Sequence, residues 1–172
     1  MSEFIPVLTK EEIATRVAEV AQAISNDYRD RDLILIGILK GAFIFLADLI
    51  RHLSIPVQVD FMCAASYGNA TTSSGRVKLI KDIELDINNK DVIIVEDIVD
   101  TGVTLSHLVS HLESSGAASV RICALIDKLE RRKVEIDVDY ICHVVDKGFL
   151  VGYGLDYAEF YRNLPEVYHL KL

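Results

Sequence analysis

Three stretches of this chain are apolar almost without interruption: Leu33 to Leu39, Val92 to Val95 and Val120 to Ile126. Such runs suit strands buried on both faces, as in a parallel sheet with layers packed on each side. Between them the apolar period changes to that of a helix. Thr9 to Glu12 has capping-box spacing, and Ile13, Val17, Val20, Ala21 and Ile24 then predict an amphipathic helix over residues 10 to 28. Phe45, Leu46, Leu49, Ile50 and Leu53 predict a second helix, and Leu105, Leu108, Val109 and Leu112 a third. Val57 to Cys63, Arg76 to Ile83 and Tyr140 to Val145 read as further strands, with a short one at Leu150 to Tyr153. Strands alternating with helices make the fold class α/β, built on a mostly parallel sheet flanked by helices. Such sheets bind ligands at the carboxyl ends of their strands, which directs attention to the loops after Leu39, Val95 and Ile126.

The length of 172 residues fits one domain spanning 1–172. Hydrophobic residues at 51% and charged residues at 26% exclude a disordered chain. Acidic residues outnumber basic ones by 26 to 18, and the net charge of −8 argues against nucleic acid as a partner. A nucleotide remains compatible, because a few local cations can hold phosphates in an acidic protein. No apolar run approaches the roughly 20 residues of a membrane span, and Met1 to Thr9 lacks signal-peptide character. Cys63, Cys123 and Cys142 are dispersed and odd in number, which reads as free thiols in a reducing compartment. The expected setting is the cytoplasm, with no membrane partner.

The strongest local feature is Val92 to Leu105, VIIVEDIVDTGVTL. An apolar strand delivers Glu96, Asp97 and Asp100 to its end, and Thr101, Gly102, Val103 and Thr104 lead into a helix. A small-residue turn at a helix N-terminus leaves backbone N–H groups free for an anion, and Gly102 permits the close approach of a phosphate. Adjacent carboxylates suit the vicinal hydroxyls of a ribose, directly or through magnesium. Acids for hydroxyls beside amides for phosphate indicate a sugar phosphate; the plain alternative is a solvated loop with a helix cap. Neither GxxxxGK[ST] nor GxGxxG is present, so a P-loop or dinucleotide fingerprint is excluded. A signalling receiver domain draws its acids from separate strands, whereas these crowd one loop.

With those residues in view, VIIVEDIVDTGVTL resembles the phosphoribosyl-diphosphate motif of the type I phosphoribosyltransferases. GILKGA at 37 to 42, SYGNATTSSG at 66 to 75, LIDK at 125 to 128 and DKGFLVGYGLDYAEFYR at 146 to 162 extend the likeness over nearly the whole chain, to the hypoxanthine-guanine branch. The resemblance implies that fold, with a small hood and a flexible loop, and transfer of phosphoribosyl from magnesium phosphoribosyl diphosphate to a 6-oxopurine. The products would be the nucleoside monophosphate and diphosphate, in purine salvage. It makes Glu96 and Asp97 the ribose-contacting acids, Asp100 the general base at N7, and Asp100 to Thr104 the 5-phosphate cradle. Lys40 and Gly41 become the diphosphate loop, with a cis peptide between Leu39 and Lys40. Lys128 becomes the donor to O6, and Gly148, Phe149 and Leu150 the cover over the base. Asp156 joins Glu96 and Asp97 as a magnesium ligand, and Arg162 a cation near the leaving group. Ser66 and Tyr67 become the tip of a lid over Ala64 to Gly75.

Taken without the resemblance, Lys40 and Lys128 read equally as solvated strand ends, Phe149 as core, Asp156 as a loop acid and the lid as an idle hairpin. Leu129 departs from the proline that many bacterial relatives carry after the lysine. His107 and His111 lie outside the apolar stripe of their helix and read as a solvated face, not a zinc pair. A non-catalytic regulator on the same fold is the rival reading, disfavoured by the acidic charge and by the presence of both base-reading and diphosphate-loop residues. The mean hydropathy of +0.27 and the resemblance together lead us to expect a homodimer or homotetramer.

Overall fold

The computed structural model describes residues 3–67 and 76–171, Tyr67 through its backbone alone. The chain runs β1 (Glu3–Leu8), α1 (Lys10–Asp27), β2 (Leu33–Leu39), α2 (Phe43–His52), β3 (Val57–Tyr67) and β4 (Arg76–Lys81). It continues β5 (Asp91–Val99), α3 (Val103–Ser114), β6 (Ser119–Lys128), β7 (Tyr140–Val145), β8 (Leu150–Val151) and β9 (Val167–Lys171).

The main sheet has the order β4-β3-β2-β5-β6-β7, parallel except for β4. Its central strands are apolar throughout because alternate residues enter two different cores. Leu33, Leu35, Ile93 and Val95 face α1 and α2, meeting Val17, Ile24, Phe45 and Leu49. Ile34, Ile36, Val92 and Ile94 face α3, meeting Leu105, Leu108 and Leu112. Helix α1 starts where the capping box places it: Thr9 Oγ1 accepts from the Glu12 N–H at 3.2 Å, and Glu12 accepts from the Thr9 N–H at 2.9 Å.

Three features depart from the strand and helix assignments made on the sequence. First, β3 extends to Tyr67, so Ala64 to Tyr67, expected in a lid, are strand residues; Ser66 pairs with Val77 and Tyr67 with Arg76. The rest of the expected lid, residues 68–75, lies outside the described residues. Second, β6 runs on past Ile126 to Lys128 and passes to β7 through an irregular segment, 129–139, from which Ile136 and Val138 pack on the α3 side of the core. Third, β1 and β9 join β8 in a separate antiparallel sheet, the hood, in the order β1-β9-β8.

The chain leaves β2 outward to β3, then returns through β5 on the other side of β2. That reversal is a topological switch point, where a crevice opens at the strands' carboxyl ends. Ile94 is fully buried beneath it. Ile94→Ala should cost about 2–5 kcal/mol, read as a lowered urea midpoint with an unchanged slope.

Candidate active site

Strands β2 and β5 stay in register from Leu33 opposite Asp91 to Gly37 opposite Val95, and pair no further. Past that point β2 turns through Lys40 and Gly41, with a cis peptide between Leu39 and Lys40. On the other side β5 continues alongside β6 and carries Glu96, Asp97 and Asp100 outward. The gap between them is a cavity of about 320 Å³, lined by residues that include Gly41, Glu96, Asp97, Asp100, Thr101, Gly102, Thr104, Asp156 and Arg162.

Glu96 and Asp97 form a tight acidic pair. The Asp97 N–H donates to Glu96 Oε1 at 3.0 Å, and the Ile98 N–H to Asp97 Oδ1 at 2.7 Å. Desolvation, then the charge of Asp97, pushes the Glu96 carboxyl well above the usual carboxylate range. Asp97 is also raised by burial, against hydrogen bonds from Glu96 and Ile98 and the nearby Arg162 charge. Two hard oxygen ligands that resist ionising together are a donor set a magnesium ion would satisfy. Gly41 is pressed against this pair: a Cβ there would stand 1.7 Å from Asp97 Oδ2.

Asp100 sits one turn further on. Its Oδ1 is buried without a hydrogen-bond partner and lies 3.8 Å from Lys128 Nζ; its Oδ2 lies 3.5 Å from the exposed Arg131. Lys128, at the end of β6, is only 7% exposed and has Glu130 at 3.7 Å as its other neighbour. Gly102 then adopts φ 81 and starts α3 with no side-chain cap, leaving the first turn to border the cavity. The Thr101 carbonyl accepts from the N–H groups of Lys133 and Val134 at 2.9 and 3.2 Å, so segment 129–139 backs this turn.

Arg132 holds the two strand ends together. Its guanidinium donates to the carbonyls of Asp100 at 3.0 Å, Val99 at 3.4 Å and Lys128 at 3.3 Å, and pairs with the buried carboxylate of Asp127. The sequence reading missed it, because Arg131-Arg132-Lys133 looks like a solvated charge run. The available signal was Asp127, an acid at the end of a buried strand that needs a cation.

The hood closes the opposite wall. Arg162 Nη1 donates to the Gly154 carbonyl at 2.7 Å and Nη2 lies 3.2 Å from Asp156 Oδ1, while Arg162 Nε is buried without a partner. Gly154, at φ 101, abuts the turn after β2 directly: a Cβ there would stand 2.1 Å from the Gly41 carbonyl oxygen. Gly148 donates its N–H to Glu130 at 3.1 Å. Phe149 is exposed and edge-on to Tyr157, with centroids 5.6 Å apart, whereas Leu150 is buried in the core.

The structure therefore brings Gly41, Glu96, Asp97, Asp100, Thr101, Gly102, Thr104, Asp156 and Arg162 around one cavity. Lys128 reaches that cavity through Asp100, and Lys40 lies at its rim, bonded to Glu159 at 2.9 Å. Ser66 is exposed on β3, where Ala64 is the residue that lines the cavity; the Tyr67 side chain lies outside the described residues. Among the described residues no three His, Cys, Asp or Glu side chains converge as a metal cage, so Asp156 stands apart from the Glu96–Asp97 pair. His107 is exposed, but His111 is not merely solvated: its Nε2 lies 3.0 Å from both oxygens of Asp82. Cys123 and Cys142 are buried free thiols.

Two outcomes follow from this geometry. Gly41→Ala should lower stability by about 1–3 kcal/mol, as overpacking does, measured by thermal or urea unfolding. Glu96→Gln should raise it. An acid with a raised folded-state pKa binds its proton more tightly when folded, so wild-type stability falls relative to the variant as pH rises above the ordinary carboxylate range. The thermal-midpoint gap between Glu96→Gln and wild type should be small near about pH 4 and widen toward about pH 8. A gap independent of pH would contradict the raised carboxyl.

Residues 7–158 match the phosphoribosyl transferase domain family. The chain is 47% identical over 163 residues to the hypoxanthine-guanine phosphoribosyltransferase of Streptococcus mutans, covering 95% of this chain and 91% of that one. It is 46% identical over 165 residues to the Bacillus subtilis protein of the same name, covering 96% and 92%. Among solved structures, a hypoxanthine phosphoribosyltransferase from Staphylococcus aureus superposes with a TM-score of 0.93 at 42% identity, covering 96% of this chain and 90% of that one. A hypoxanthine-guanine phosphoribosyltransferase from Bacillus anthracis gives 0.92 at 39% identity over the whole of both chains. The cleft at the β2/β5 switch point is thus that of a type I fold, and the chain belongs to the phosphoribosyltransferase family.

Proposed function

We propose that this chain is a purine-salvage enzyme that transfers the 5-phosphoribosyl group of phosphoribosyl diphosphate to hypoxanthine, guanine or both, releasing diphosphate. The observation that carries the base specificity is the Asp100–Lys128 pair. One buried carboxylate oxygen without a partner stands beside a buried ammonium. Together they present an acceptor and a donor to one edge of a ring, which matches N7–H and O6 of a 6-oxopurine and mismatches the amino group of adenine. The relatives named hypoxanthine-guanine phosphoribosyltransferase support the same substrate class.

In this reading the backbone of Thr101 to Thr104 and the hydroxyls of Thr101 and Thr104 hold the 5-phosphate at the start of α3. Glu96 and Asp97 face the ribose hydroxyls and would hold magnesium, which when bound neutralises charge on the diphosphate, while Asp156 stands apart from them beside Arg162. Lys40 and Arg162 bind the diphosphate as it leaves; the Gly41 backbone lies between them and the acidic pair. N9 of the base attacks C1 as the C1–O bond breaks, and Asp100 takes the proton released from N7. Carboxylates beneath the ribose favour positive charge at C1. Phe149 covers the base from the hood side, beside Gly148.

We read residues 1–172 as one domain that acts in the cytoplasm as a homodimer or homotetramer. No helix among the described residues is long and apolar enough to cross a membrane.

The test is an ultraviolet turnover assay with magnesium phosphoribosyl diphosphate and, separately, hypoxanthine, guanine, xanthine and adenine. Hypoxanthine, guanine or both should convert with adenine inert. Asp100→Asn should lower kcat by about 100-fold or more, and Lys128→Gln should raise KM for the base far more than KM for phosphoribosyl diphosphate. Tight phosphoribosyl-diphosphate binding with no turnover of any base would instead favour a non-catalytic regulator.

A further inference from the structure

The two cations assigned to the diphosphate are already engaged by an anion of the chain itself. Glu159 Oε2 lies 2.9 Å from Lys40 Nζ, and Glu159 Oε1 lies 3.4 Å from Arg162 Nη2. Lys40 follows β2, whereas Arg162 lies three residues from Glu159 on the same loop, so one carboxylate joins the two cations through its two oxygens. A diphosphate must bridge the same two groups.

The backbone around Glu159 is built to present it. Tyr157 and Phe160 exchange both backbone hydrogen bonds at 3.0 Å, closing a two-residue turn whose central residues are Ala158 and Glu159. Both have positive φ, 51 and 69, as a type I′ turn requires. Such a turn ordinarily recruits glycine or asparagine, and two non-glycine residues in the left-handed region are uncommon outside functional segments. The Glu159 N–H also donates to Asp156 Oδ2 at 2.8 Å, so the backbone orients the metal-ligand candidate while the side chain engages the cations.

Strength points the same way. The Lys40 and Glu159 side chains are 66% and 63% exposed, so their bond is a screened surface pair that a more highly charged anion can displace. Among the described residues Arg162 Nε is buried without a partner, so Glu159 leaves its cation incompletely satisfied.

We propose that Glu159 is a built-in competitor of diphosphate: it bridges Lys40 and Arg162 in the empty site, is displaced when phosphoribosyl diphosphate binds, and returns to speed release of the diphosphate product. This rests on the reading of Lys40 and Arg162 as the diphosphate cations. Glu159 is a positioning residue, since it acts through those cations and not on the reacting atoms.

The experiment titrates wild type, Glu159→Gln and Glu159→Asp with magnesium diphosphate by calorimetry, with diphosphate product inhibition measured on the same preparations. Glu159→Gln keeps the side-chain size and the backbone bond to Asp156 but loses the charge. It should bind diphosphate about two- to fivefold more tightly and show a matching fall in its inhibition constant. KM for phosphoribosyl diphosphate should fall while KM for the base stays constant. Glu159→Asp, which keeps the charge, should remain closer to wild type, and raised salt should shrink the difference. Equal or weaker diphosphate binding by Glu159→Gln, with an unchanged thermal midpoint, would overturn the proposal while leaving the enzymatic reading intact if wild type turns over. Wild-type protein that neither binds magnesium diphosphate nor converts a base would overturn both.

Discussion

Everything in the cleft depends on β2 and β5 parting company at Gly37 and Val95 while β5 keeps its other neighbour. A strand that is still paired on one side is rigid, so the residues it carries past the split are held in place without being covered. Glu96 and Asp97 occupy that position, one residue apart on a strand whose next bond is to β6. Their mutual repulsion and desolvation cost free energy in the empty protein. The scaffold sustains that cost through the two cores that the same strands bury beneath it.

A second constraint is the closeness of three backbones. Gly41 leaves no room for a Cβ beside Asp97, and Gly154 leaves none beside the Gly41 carbonyl. The turn after β2 is therefore sandwiched between the acidic pair and the hood, and the hood is in turn fixed by pairing of the chain's two ends, β1 with β9. Arg132 performs the equivalent task on the other flank, where it gathers the final carbonyls of β5 and β6. The position of Lys128 relative to Asp100 follows from that clamp, because both residues sit on backbone that Arg132 holds.

What could be read from the sequence divides along the same physical lines. Leu33 to Leu39 and Val92 to Val95 were legible because a strand buried on both faces needs an apolar residue at every position. The Glu96 to Thr104 loop was legible because its chemistry is local: acids, hydroxyls and a glycine within a few residues. Strands β1 and β9 left no such mark. Val167 and Leu170 are buried while Lys171 is exposed and the residues between are partly exposed, and their partners lie at the opposite end of the chain. Arg132 and Glu159 were illegible for the related reason that each gains its meaning from a remote partner, the Val99 and Asp100 carbonyls for one, Lys40 for the other. Lys40 and Lys128 stood between these cases: a cation at a strand end is ordinary, and only its neighbours in space distinguish it.

The distribution of charge in the cleft bears on the direction of the chemistry. Its floor is acidic, with Glu96, Asp97 and Asp100 all on β5 or directly after it, while cations enter only at the edges, from Lys40, Lys128 and Arg162. A floor of that sign suits a reacting carbon that becomes positive as its bond to diphosphate breaks, and edges of the opposite sign suit the leaving group. The same arrangement creates a difficulty, because cations strong enough to draw diphosphate away also retain it. A weak internal anion at the rim moderates that hold at small cost to binding, since an exposed ion pair is worth little when nothing larger competes for its cations.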